Sequence, residues 1–329
     1  MSRLTLGHGS GGRLTQQLVR RIAGCFPLTG HDMEDCAIAP DGSGATMDGF
    51  TVTPRFFPGG NLGKLAACGV ANDLAVRGVR PEQLLLSVIA EEGFDEEELL
   101  AHLQSAGAVC DALTMRLVGG DTKVVPRGAV DGVFLSACAM GREIPRREER
   151  LGAARLQAGD ALLLTGPAGR HGAAIAAARY NLDVPGLASD CAALWPLLAP
   201  LLSLPGLRAM RDCTRGGVGT VLCEWAESRH LGISVEESAF PTDPGVLSVA
   251  DLLGLDPLYL ACEGTAVVAI APEEAVEALQ ILRNHPLGSE AMQIGVVTEE
   301  HPNLVSLTTR IGGRRLVDMP VGELLPRIC

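Results

Sequence analysis

A charged, weakly apolar stretch over residues 142–155, rich in arginine and broken by Pro145, interrupts the chain near its middle. Such segments end domains, because few buried contacts can cross them. Beyond it, Leu156-Gln157-Ala158-Gly159-Asp160 reads as a turn and Ala161-Leu162-Leu163-Leu164 as a buried strand. The chain has 329 residues, and at about 100–200 residues per domain two domains are expected. They are read as 1–155 and 156–311, with a mobile tail over 312–329 where the periodic signal fades.

Apolar periodicity within each half is mixed. Helices are expected over residues 13–25, 62–76, 95–113, 172–180, 191–202, 217–230 and 272–284. Strands are expected over 45–51, 84–89, 116–118, 132–140, 161–164, 233–235, 265–270 and 304–307. That mixture is α+β or α/β, and periodicity does not choose between them.

Hydrophobic residues make up 47% of the chain and charged residues 20%, a globular composition. The net charge of -12 argues against non-specific nucleic-acid binding, which needs clustered Lys and Arg. It leaves nucleotides open, since local cations, a metal and backbone amides hold a triphosphate. The start carries no basic and apolar leader pattern. The most apolar run, 195–207, is interrupted by Pro196, Pro200 and Pro205, so it does not span a bilayer. The expectation is a soluble, cytoplasmic protein. None of the ten cysteines is spaced as C-x-x-C, and the internal ones read as small buried hydrophobes.

Six segments can carry chemistry. His8-Gly9-Ser10-Gly11-Gly12-Arg13 precedes a helix and exposes backbone N–H groups suited to an anion, or is a flexible arm. Asp35, Asp48, Asp73 and Asp121 lie in loops, beside glycine or, for Asp73, inside an apolar helix. Hard carboxylate oxygens suit Mg²⁺ shared with phosphate; a structural ion pair or cap is the other reading of Asp73. Gly119-Gly120-Asp121-Thr122-Lys123, after a strand, sets an acid beside a phosphate-binding cation. It is not a Walker A loop. Arg211-Asp212-Cys213-Thr214-Arg215-Gly216-Gly217 leads into a helix with donors and an acid. Glu263, between Leu258-Tyr259-Leu260 and a strand, is either a general base of raised pKa or a turn acid. Cys329 ends Pro326-Arg327-Ile328-Cys329, a thiol placed to reach a site or a partner.

In this order, these segments resemble the HypE family of hydrogenase maturation proteins, in the superfamily of aminoimidazole ribonucleotide synthetase (PurM) and selenophosphate synthetase. Further matching stretches are Pro58-Gly59-Gly60-Asn61-Leu62-Gly63-Lys64, Asn72-Asp73-Leu74-Ala75, His171-Gly172-Ala173-Ala174 and Asp256-Pro257-Leu258-Tyr259. The terminal Pro-Arg-Ile-Cys is the most specific.

The resemblance implies an α+β, two-domain PurM-like fold. The N-terminal domain pairs its sheet in a homodimer, and a C-terminal α+β sandwich follows. It implies ATP-driven dehydration of an S-carboxamide on Cys329 to a thiocyanate, with ATP and Mg²⁺ bound. The carbamoyltransferase HypF is the implied donor and the HypC–HypD complex the implied cyanide acceptor. Cys329, Glu263 and Lys123 are then catalytic. Asp48, Asn72, Asp73, Asp121, Thr122, Lys64, Asp212 and Thr214 bind the nucleotide, and Asp35, Asp48, Asp73 and Asp121 the metal.

Four positions depart from the family pattern. Met47 and Gly49 flank Asp48 where hydroxyl residues are usual, and Cys213 and Cys36 replace small or polar residues. Selenophosphate synthetase would need a Cys or selenocysteine and a Lys in the first glycine loop, which here holds His8 and Ser10. A PurM-type synthetase would not require a terminal cysteine. The non-enzymatic alternative is an ATP-binding scaffold.

Overall fold

The computed structural model describes residues 3–26, 34–145, 149–322 and 328–329. Helix α1, Gly12–Ala23, follows the glycine loop. The first sheet is built from strands β1 (Ala37–Ile38), β2 (Ser43–Phe50), β5 (Val79–Glu91), β6 (Arg116–Val125) and β7 (Val133–Glu143). Between them lie the β3–β4 ribbon (Phe56–Phe57, Gly60–Asn61) and helices α2 (Leu62–Val76) and α3 (Glu96–Leu113). The sheet order is β1-β2-β7-β5-β6, with β5 and β6 parallel and the other pairs antiparallel.

One face of this sheet packs on α2. That helix is apolar almost all round, the pattern of a helix buried on every side. Asn61 caps it, its Oδ1 accepting from the N–H groups of Gly63 and Lys64 at 3.0 Å. Strand β7 alternates accordingly: Val133, Leu135, Ala137 and Ala139 are buried, while Phe134, Ser136, Cys138 and Met140 stand on the opposite, more open face.

The second sheet comprises β8 (Ala161–Leu164), β9 (Leu207–Asp212), β10 (Gly232–Glu236), β11 (Ala266–Ile270), β12 (Met292–Thr298), β13 (Val305–Thr308) and β14 (Arg314–Val317). Its order is β14-β13-β10-β12-β8-β11-β9, and only β10 and β13 are parallel. Helices α4 (Arg170–Tyr180), α5 (Trp195–Leu198), α6 (Gly217–Arg229), α7 (Pro244–Leu253) and α8 (Ala275–Arg283) accompany it. Strand β8 is buried on both faces: Leu162 and Leu164 join a core with Trp225 of α6, whereas Ala161 and Leu163 join one with Leu282 of α8. The fold is α+β with two units, as the resemblance implies.

Several expectations need correction. The helix read over 191–202 is only α5 followed by a 3-10 stretch, because Pro196 and Pro200 interrupt it. The strand read over 116–118 runs on to Val125, so Gly119-Gly120-Asp121-Thr122-Lys123 lies within a strand instead of a turn. The segment read as a tail from residue 312 contains β14, whose Val317 is buried against the second core. No helix among the described residues is long and apolar enough to cross a membrane.

Candidate active site

The site forms where the helix-covered face of the first sheet meets β9 and the turn before β11. Asp35 precedes β1, Asp73 lies on α2 and Asp212 ends β9; oxygens of these three carboxyls lie within 4.8 Å of one another. Thr46 Oγ1 lies 2.8 Å from Asp73 Oδ2 and 3.0 Å from the Asp35 carbonyl oxygen. Arg211 Nε lies 3.1 Å from Asp35 Oδ1, and its Nη2 lies 3.2 Å from Glu224. Asp35 Oδ2 and Asp212 Oδ2 are buried with no hydrogen-bond partner among the described residues.

Burial, then repulsion from Asp212, Asp48 and Asp35, pushes Asp73 well above the usual carboxyl range. Asp212 is pushed up to about 8 by burial and by Asp35, against the pull of Arg211. Asp48 is raised by burial, with Arg215 opposing. Crowded carboxyls with orphaned oxygens fit a hard divalent cation with oxygen ligands.

Glu263 is 2% exposed, and its Oε1 has no hydrogen-bond partner among the described residues. Asp190 fixes the turn that carries it, accepting from Glu263 N (3.0 Å), Gly264 N (3.1 Å) and Thr265 Oγ1 (3.0 Å). A Cβ on Gly264 would meet the Asp190 carbonyl at 1.9 Å, so only glycine fits this approach. Burial first, then Asp190 and Asp212, raise Glu263 strongly, which suits a carboxylate meant to take a proton.

Cys329 is half-buried beside this carboxylate. Burial pushes its thiol up to about 12, with Arg215 pulling down and Glu263 and Asp48 pushing up. Arg215 is raised in turn, chiefly by Cys329, with Asp48, Glu263 and Asp73 adding to it. Its Nη1 donates to the Gly9 carbonyl at 2.9 Å and so ties down the glycine loop. Gly11 and Gly12 take φ of 79° and 73°, and a Cβ on either would strike Arg215 or Pro320 backbone. A cavity of about 160 Å³ lies between this loop, Asp212, Thr214 and Thr220.

Among the expected site residues, Cys329, Glu263, Asp35, Asp48, Asp73, Asp212 and Thr214 converge. The other five do not join this cluster within the chain. Asn72 is 1% exposed and braces the turn: its Nδ2 donates to the Ala192 and Glu263 carbonyls and its Oδ1 accepts from Leu194 N. Asp121, Thr122 and Lys123 are exposed on β6 and stand apart from the cluster. Asp121 pairs in register with Ser87, Ser136 and Gly49, whereas Asp48 shares its row with Ala137 and Leu86. Adjacent rows point to opposite faces, so Asp121 and Lys123 lie on the open face and Asp48 on the covered one. Lys64 donates to the Gly59 carbonyl at 2.8 Å, at the far end of α2 from Asp73. Arg211, Arg215 and Asp190 were missed as site residues. Arg211 and Arg215 lie in the glycine-ended segment before α6, but nothing local marks Asp190.

Residues 33–142 match the AIR synthase related protein N-terminal domain, and residues 157–306 its C-terminal domain. The chain is 43% identical to carbamoyl dehydratase HypE of Rhodobacter capsulatus, over 99% of this chain and 98% of that one. It is 42% identical to carbamoyl dehydratase HypE of Escherichia coli over the full length of both. The chain belongs to the HypE family.

Solved structures of the family agree. The fold matches a crystallised HypE–HypF complex with TM-score 0.86 and 36% identity, covering 92% of this chain and 99% of that one. It matches HypE in complex with ATP with TM-score 0.84 and 35% identity, covering 99% of this chain and all of that one. In this chain the carboxylate cluster, the glycine loop and Cys329 sit together.

Proposed function

We propose that this chain is an ATP-dependent carbamoyl dehydratase that converts an S-carboxamide on its own Cys329 to a thiocyanate. The observation that carries the reading is the docking of Cys329 against Glu263, Arg215 and Asp48, beside an acid cluster able to hold a metal nucleotide.

An amide oxygen is a poor leaving group. Transfer of the γ-phosphoryl of ATP to that oxygen makes it a good one and yields ADP. One nitrogen proton leaves to solvent as the oxygen is phosphorylated, giving an O-phosphoryl imidate; Glu263 then takes the second as the C–O bond breaks, so that S–C≡N and inorganic phosphate form. Arg215 offsets negative charge that gathers at the reacting carbon and oxygen. Asp35, Asp73 and Asp212, with Asp48 beside them, would hold Mg²⁺, which neutralises phosphate charge when bound. The glycine loop and Thr214 supply donors to the phosphates.

The open face of the first sheet carries Met47, Leu85 and Ile89. A second copy laid on that face would form the homodimer. The second copy's Lys123 and Asp121, stranded in their own chain, would then serve the shared phosphate site. HypF, which the crystallised relative binds, supplies the carbamoyl group, and a HypC–HypD complex accepts the cyanide. The setting is the cytoplasm.

The test places a heavy-oxygen label in the carboxamide. Appearance of the label in inorganic phosphate supports phosphoryl transfer to that oxygen. Its appearance in water only would contradict the route.

A further inference from the structure

The reaction needs more than a base and a phosphate site: a two-residue chain end must be held still while its last side chain reacts. Ile328 and Cys329 make that contact in one place. The Ile328 side chain is buried in the first core, the cluster that also holds Ile175, Cys191 and Ala261. Its carbonyl oxygen lies 2.7 Å from His171 Nε2. His171 is fully buried near the start of α4, with Phe57 edge-on to its ring at 5.3 Å.

The hydrogen bonds around His171 permit a single assignment. Ser189 Oγ accepts from Cys191 N at 3.0 Å, so its own proton is free to go to His171 Nδ1, 2.8 Å away. Nδ1 is then the acceptor, and Nε2 carries the ring proton and donates it to Ile328. Burial lowers the ring's pKa, against the Ile328 carbonyl and Asp190, and so favours the neutral form. Ser189 is itself anchored across the unit boundary, its N–H donating to the Pro58 carbonyl at 2.8 Å. The donor that meets the tail is therefore fixed in tautomer and in place by both halves of the molecule.

We infer that His171, oriented by Ser189, is the positioning residue that clamps the Ile328 carbonyl and so delivers the Cys329 side chain to Glu263 and Arg215. The inference rests on the dehydratase reading for its consequence but on this contact for its existence. His171 touches neither the thiol nor the phosphate site; it acts through the backbone one residue earlier. A buried donor–acceptor pair of this kind accounts for about a tenfold preference for the docked tail.

Three substitutions test it: His171→Gln, which keeps a donor near the Nε2 position, His171→Asn, which does not reach it, and Ser189→Ala, which releases the tautomer. Two quantities are read on each purified full chain. One is the rate of iodoacetamide alkylation at Cys329, taken from the C-terminal peptide by mass spectrometry. The other is the rate of carboxamide conversion under saturating ATP, with ATP affinity and melting temperature as controls. The clamp predicts about tenfold faster alkylation and correspondingly slower conversion in His171→Asn, with ATP affinity unchanged. His171→Gln is expected within about threefold of wild type, and Ser189→Ala between the two. Equal alkylation in wild type and His171→Asn overturns the clamp, as does equal impairment of the Gln and Asn variants. Should the wild type protect Cys329 yet convert no carboxamide, the clamp stands and the dehydratase reading falls.

Discussion

Arg211 Nε lies 3.1 Å from Asp35 Oδ1, which joins the loop before the first sheet to strand β9 of the second inside the acid cluster. This one guanidinium shares its charge with Glu224 as well, so Asp73 and Asp212 remain under-compensated. A carboxyl whose pKa rises on folding holds a proton that the unfolded chain has already released. Its contribution therefore weakens stability as pH rises, from the usual 3.8 to above the folded value of about 8 for Asp212. Without divalent cation, the melting temperature is expected to fall between about pH 5 and about pH 8, and Mg²⁺ to remove much of the fall. Scanning calorimetry with and without Mg²⁺ checks this; a midpoint that rises over the window, or ignores Mg²⁺, speaks against the cluster as a cation site.

Glu263→Gln keeps the shape of the side chain while removing the base. Since Oε1 is buried and unpartnered among the described residues, the substitution relieves a buried acid and should leave stability equal or higher. Conversion of the carboxamide should drop about 10²–10⁴-fold with ATP binding intact. Single-turnover assays on the carbamoylated chain measure it, and normal conversion removes Glu263 from the mechanism.

Lys123 and Glu263 provide a test of shared sites. They cannot meet within one chain, because Lys123 stands on the open face of the first sheet. Lys123→Ala and Glu263→Gln homodimers should each be inactive. Mixed after subunit exchange, they should recover about a quarter of wild-type activity, as half the dimers then hold one intact site. No recovery, with heterodimers demonstrated by native mass spectrometry, indicates that Lys123 serves its own chain or none.

Leu85 sits in the central strand β5, and Gly119 of β6 approaches it on the open face. Leu85→Glu puts a charge in the middle of the proposed dimer contact, with little disturbance of the covered core. Sedimentation should show at least a tenfold weaker dimer and an undisturbed monomer fold. An unchanged dimer would move the interface elsewhere.

Much of this was legible in the chain itself, for physical reasons. Helix α2 could be read because an apolar run capped by Asn61 has few alternatives, and Asp73 within it stood out as costly to bury. The glycines at 11, 12, 216 and 217 marked backbone that only glycine adopts, and all four take positive φ. Strand β9 was not legible, since Arg208 and Arg211 break its apolar pattern; their partners, Asp160 and Asp35, are distant in sequence. The face on which Lys123 lies depends on register across three strands, which no local pattern encodes. Asp190 is likewise silent locally, and His171, though inside a stretch that matches the family, shows no role there, because each acts on backbone far along the chain.

The most direct test of the account takes the chain carbamoylated at Cys329, adds ATP and Mg²⁺, and weighs its C-terminal peptide by mass spectrometry, with Cys329→Ala as the control. The account predicts loss of the mass of one water from that peptide alone, dependent on ATP, and no change in the control. An unchanged peptide mass while ATP binds, or cyanide release by the Cys329→Ala chain, would contradict it.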